Sequence, residues 1–154
     1  MASLDIQNFL LLALKLERNG VDFFNHWAEK AETEELRVFF KMLADEEEQH
    51  IRDLMKIASD YRSSGITPEI SRALREFYDM FSEKVMFSHK EFESIHDLGK
   101  AIEIAKKQEI DAQLFYTELK KLIDKQYHDI VERIITEEQN HYSWLINLAK
   151  KMNI

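Results

Sequence analysis

The chain has 154 residues, 45% of them hydrophobic, which is enough for one buried core, while three Gly and one Pro leave too few turn formers for a β fold. A formal charge of -8 argues against nucleic acid as a partner, because phosphate backbone is bound by basic faces. With no Cys there can be no disulfide, no thiolate zinc site, no Cys-ligated iron-sulfur centre and no Cys nucleophile, so any metal must use Glu, Asp and His.

In chain order the punctuation predicts an all-α protein. Ser3 caps a first helix over residues 4–31, and Glu34 and Glu35, following Thr33, suit the positive amino end of a second over 34–61. The apolar run 9–14 has no basic residues before it and no cleavage pattern after it, and Lys15 and Glu17 interrupt it. No membrane span and a cytoplasmic location are expected. Ser63, Ser64, Gly65, Thr67 and Pro68 form the clearest break, with Pro68 opening a shorter helix to about Val85. Residues 86–96 are ambiguous. Asp97 caps a helix over 98–122, and a weak break at Asp124 and Lys125 leads to a last helix over 126–152. The expectation is a single domain over 1–154: two antiparallel helical hairpins joined by a long crossover, 62–97, containing the shorter helix. That is the connectivity of a ferritin-like four-helix bundle.

Stepping by three and four residues picks out one inward stripe per long helix. The first gives Leu10, Ala13, Glu17, Gly20, Phe24 and Trp27; the second gives Phe40, Leu43, Glu47, His50, Leu54 and Ile57. The third gives Ile102, Ala105, Glu109, Ala112, Tyr116 and Leu119; the fourth gives Val131, Ile134, Glu138, His141, Leu145 and Leu148. Each stripe is apolar except near its middle. A buried carboxylate costs several kcal/mol even after relaxation, so four of them need compensation. Two divalent cations balance four glutamates, with two neutral imidazoles completing six ligands, and an oxide or hydroxides would take up the added charge on oxidation.

The spacing repeats. Glu17 to Glu47 is 47 - 17 = 30 residues and Glu109 to Glu138 is 138 - 109 = 29, each followed by His three positions on. Residues three apart share a helix face, so Glu and His can hold one metal. Phe23 and Phe24 follow Glu17 at the distance at which Phe115 and Tyr116 follow Glu109. One Glu from each of two helices and Glu-x-x-His from the other two is the ligand pattern of di-iron carboxylate bundles. Glu17, Glu46-Glu47-x-x-His50, Glu109 and Glu137-Glu138-x-x-His141 resemble the rubrerythrin family of those proteins, over nearly the whole chain.

The resemblance implies two irons, with manganese or zinc compatible with the same ligands, and a homodimer. It implies an oxidoreductase reducing hydrogen peroxide or dioxygen. Rubrerythrins proper carry a four-cysteine rubredoxin-like module, absent from this chain, so electrons would come from an external donor such as a rubredoxin. They also carry one more ligand Glu where this chain has Ala112, which puts peroxidase activity in question. An iron-oxidising protein of bacterioferritin type is the alternative, and a helical module merely stapled by metal is a second. In related bundles the acids preceding the ligands bond the far imidazole, which pairs Glu46 with His141 and Glu137 with His50. Tyr116, on the face of Glu109, is a candidate to bond a bridging ligand or supply an electron, against an ordinary core tyrosine. His26, His89, His96 and His128 lack partners at ligand spacing, and Glu93-Ser-Ile-His96 is a lone motif without a stripe. Trp27, Trp144 and the methionines read as core filling.

Overall fold

The computed structural model describes residues 4–65, 70–92 and 94–154, with the backbone alone for 86–92. It falls into two compact units, Met1–His89 and Lys90–Ile154.

In the first unit α1 (Ile6–Lys30) and α2 (Glu34–Ser64) form an antiparallel hairpin. The Gln7 amide lies 3.4 Å from the Ala58 carbonyl at one end, and the Phe24 and Phe40 rings stack at 6.4 Å near the other. Asp5 and Asn8 close a reciprocal cap: each backbone N–H donates to the other's side-chain oxygen, at 3.0 and 3.2 Å. The helix thus starts two residues later than expected, with Asp5 as its cap in place of Ser3, which lies outside the described residues. Thr33 Oγ1 accepts from the Leu36 N–H at 3.2 Å to start α2.

Helix α2 runs a turn beyond the expected end near Tyr61. The Ser63 and Ser64 hydroxyls donate to the carbonyls of Ser59 and Tyr61, at 3.0 and 2.9 Å, and so serve the last turn instead of breaking it. Gly65, at φ 67°, then ends the helix in the left-handed conformation.

The crossover helix also departs from expectation. Helix α3 (Arg72–Phe92) has Ser71 Oγ accepting from the Leu74 N–H at 3.3 Å, and it absorbs the ambiguous residues up to 92. Thr67 and Pro68 lie outside the described residues. Within the unit α3 packs along α1: Phe9 meets Tyr78 at 5.3 Å between ring centroids, and Asn19 Nδ2 donates to the Val85 carbonyl at 3.0 Å. The order of those contacts makes the two helices parallel.

In the second unit α4 (Leu98–Leu122) begins where Asp97 Oδ1 accepts from the Gly99 N–H at 2.7 Å. The weak break is a 3-10 turn, Lys125–Tyr127, so α5 (His128–Met152) starts two residues later than expected. The His128 ring sits on the Ile123 carbonyl at 3.1 Å, and Lys120 reaches Glu132 at 2.8 Å, closing the second hairpin.

Of the four inward stripes, all residues are buried except Gly20 and Leu148, which are half-buried. Fully burying one Leu or Phe stabilises by roughly 1.5–3 kcal/mol, so these stripes hold each hairpin together. The methionines depart from expectation. Met42, Met55, Met80 and Met152 are exposed, Met42 and Met55 because they fall off the stripe of α2 and Met152 because it ends the last helix, and Trp144 is only half-buried. No described helix is long and apolar enough to cross a membrane.

Candidate metal centre

Glu47 and His50 lie three residues apart on α2 and so face α1 together, while the short link 31–33 brings Glu17 of α1 level with them. His50 Nδ1 stands 3.0 Å from Glu47 Oε2 and 3.5 Å from Glu17 Oε2. One ligand atom from each of these three side chains falls within 4.8 Å of the others. All three are buried, at 2%, 3% and 0% exposure for Glu17, Glu47 and His50, so bulk water cannot solvate the carboxylates.

The second unit repeats the arrangement. His141 Nδ1 stands 3.6 Å from Glu109 Oε1 on α4 and 3.6 Å from Glu138 Oε2 on its own helix. Exposure is 3%, 1% and 0% for Glu109, Glu138 and His141, and their ligand atoms again fall within 4.8 Å of one another. Donor atoms bound at about 2.1 Å to one cation stand about 3 Å or more apart, so both triads have the spacing of a ligand set.

Electrostatics point the same way. Burial, followed by the neighbouring Glu47 carboxylate, pushes the Glu17 carboxyl up to about 8, with His50 partly opposing. An acid displaced that far is one whose ionised form lacks a sufficient counter-charge. Each triad holds two carboxylates and one imidazole, so a divalent cation would neutralise it. Both histidines turn Nδ1 to the carboxylates, so Nδ1 is the ring nitrogen that a cation among these oxygens would meet.

The remaining sequence candidates are distributed as follows. Glu46 and Glu137 are half-buried, and Glu137 also lies 3.8 Å from Arg133 Nε. Tyr116 is fully buried, its ring edge-on to Phe115 at 5.5 Å. His26 sits edge-on to Trp27 at 5.9 Å, His128 caps Ile123, and His96 is exposed. Glu93 and the His89 side chain lie outside the described residues.

Two features escaped the reading of the sequence. A Cβ added to Gly20 would stand 3.4 Å from Glu47 Cγ and 3.5 Å from its Cδ and Oε1. The Trp144 ring lies 5.6 Å from that of His141, tilted by 39°. A glycine in a helix interior and a Trp three positions after a ligand were visible, but only packing shows what they touch.

Comparison with known proteins completes the picture. The family model described as rubrerythrin matches residues 8–149. No curated protein matches the chain. Among solved structures, a ferritin-like diiron-carboxylate protein from Thermotoga maritima matches with a TM-score of 0.72 and 20% identity, covering 99% of each chain. The fold is therefore ferritin-like.

Proposed function

Because the chain belongs to the rubrerythrin family, we propose that its two Glu-Glu-His triads hold two iron ions and that the protein is an oxidoreductase reducing hydrogen peroxide or dioxygen. The observation that carries this reading is the pair of buried triads, each matched in charge to one divalent cation. Two ions agree with the di-iron stoichiometry named for the Thermotoga maritima protein. Manganese or zinc would suit the same donor atoms.

In this reading Glu17, Glu47 and His50 bind one ion, and Glu109, Glu138 and His141 the other. When bound, the irons supply the one-electron chemistry that the side chains lack. The chain's own residues hold the ions and exclude water. Glu46 and Glu137, half-buried and one position before a ligand, are proposed as outer acids that steady the ligand side chains. Tyr116, with its hydroxyl in a buried setting, is assigned to hydrogen-bond near the second triad. Without cysteines the chain holds no thiolate redox centre, so the electrons come from a separate donor, of which a rubredoxin is an example. The same proposal includes a homodimer, for which the exposed Val38 and Met42 on α2 offer apolar surface.

Oxidation of Fe(II) as a substrate, for storage or delivery, is the competing reading and needs the same ligands. Loading the apoprotein anaerobically with Fe(II), counting the bound iron, and mixing in stopped flow with peroxide or dioxygen decides between them. Two irons and fast reaction with peroxide support the oxidoreductase. Steady consumption of excess Fe(II) with dioxygen supports iron handling, and binding without any oxidation leaves a metal-stapled helical module.

A further inference from the structure

The chain spends only three glycines, and two have local reasons. Gly65 adopts the left-handed conformation that ends α2, and Gly99 receives the Asp97 cap in the first turn of α4. Gly20 has neither. It sits in the interior of α1, where glycine weakens a helix relative to alanine. Its surroundings do not demand the missing methyl either, since an added Cβ would meet Glu47 at 3.4–3.5 Å, ordinary van der Waals contact. Alanine would fit against Glu47 as it now lies. What the methyl would remove is the room for the Glu47 carboxylate to turn toward α1.

The other hairpin provides the contrast. Gly20 follows Glu17 by three positions, and Ala112 follows Glu109 by three, so the methyl is present at the matching register. Glu47 also lies closer to its imidazole, at 3.0 Å, than Glu138 does to His141, at 3.6 Å.

We propose that Gly20 is a positioning residue that gives the Glu47 carboxylate space to move when the first triad takes up metal, whereas the second hairpin has the methyl of Ala112 at the matching register. The two triads then bind unequally, with the first depending on rearrangement. This rests on the metal-binding reading above, and its test separates the two.

Co(II) alone, whose visible bands report coordination, is titrated into the apoprotein, into Gly20→Ala and into Ala112→Gly, and each apoprotein is also melted. The wild type is expected to take up two ions. Gly20→Ala is expected to melt about 2–4 °C higher without metal, yet to bind one of the two ions roughly ten- to a hundred-fold more weakly. Ala112→Gly is expected to melt lower and bind both ions as the wild type does. If Gly20→Ala binds both ions with wild-type affinity and bands, or melts below the wild type, the inference fails while the metal reading stands. If the wild type binds no Co(II), the metal reading fails and takes this inference with it.

Discussion

The hairpins α1–α2 and α4–α5 are two solutions to one problem, built from different sequences. Both place an edge-on aromatic pair nearly two turns beyond the first Glu: Phe23 and Phe24 at 5.5 Å and 82°, Phe115 and Tyr116 at 5.5 Å and 85°. Both turn a histidine Nδ1 toward two buried carboxylates. They differ around that shared frame. Gly20 faces Glu47 where the second hairpin has Ala112 at the same register, Phe24 stands where it has Tyr116, and Asp53 stands where it has Trp144 against His141. What repeats is what holding a cation requires, and what varies is the setting that could make the two cations unequal.

The largest test of that equivalence removes one carboxylate from each triad. Glu47→Ala combined with Glu138→Ala is expected to abolish metal binding in equilibrium dialysis, while Glu93→Ala leaves it at wild-type stoichiometry. Dependence on Glu93 would mean that the repeat is not the site. Next in size, Phe23→Ala and Phe115→Ala should each destabilise the apoprotein by about 3–5 kcal/mol in urea unfolding, because both rings are fully buried. A cost confined to one of them would break the structural equivalence of the hairpins.

The third test concerns protons. With its folded value raised to about 8 from 4.5, Glu17 keeps a proton that the unfolded chain has already released. Its contribution to apoprotein stability is therefore fully present below pH 4.5 and lost as pH rises through 8. Glu17→Gln should flatten that decline, and metal uptake by the wild type below pH 8 should release a proton detectable with an indicator dye. An unchanged pH profile in Glu17→Gln would mean that this buried carboxyl does not set the decline. The smallest effects belong to the caps: Thr33→Ala and Asp97→Ala should each cost about 1 kcal/mol, similar in the two hairpins, by thermal melting.

Much of this was legible because a helix buries one face with a period of 3.6 residues. The period exposed Glu17, Glu47, Glu109 and Glu138 as charges on apolar stripes, and four polar intrusions at matched spacing leave few explanations. Asp97 marked its helix because a cap is a local device, and Glu34 and Glu35 marked theirs by charge at the amino end. The end of α2 was not legible, since Ser63 and Ser64 suit a break or a last turn equally, and the hydrogen bonds to Ser59 and Tyr61 select the turn. The start of the last helix blurred because a 3-10 turn carries no distinct residue signature. Residue type does not reveal the burial of the methionines, because register decides it: Met42 and Met55 sit beside the stripe of α2, not on it. The contacts of Gly20 and Trp144 depend on neighbours distant in sequence or on side-chain direction, which no pattern of residue types encodes.

The carboxyl of Glu17, held off its ordinary range by burial, has a consequence for the life of the protein in a cell. If the triads bind metal as proposed, a chain that finds no cation would keep an electrostatic burden that a loaded chain sheds, and would open more often to proteases. When metal is scarce such chains would be cleared first, and the amount of protein would follow the metal supply with no change in its synthesis.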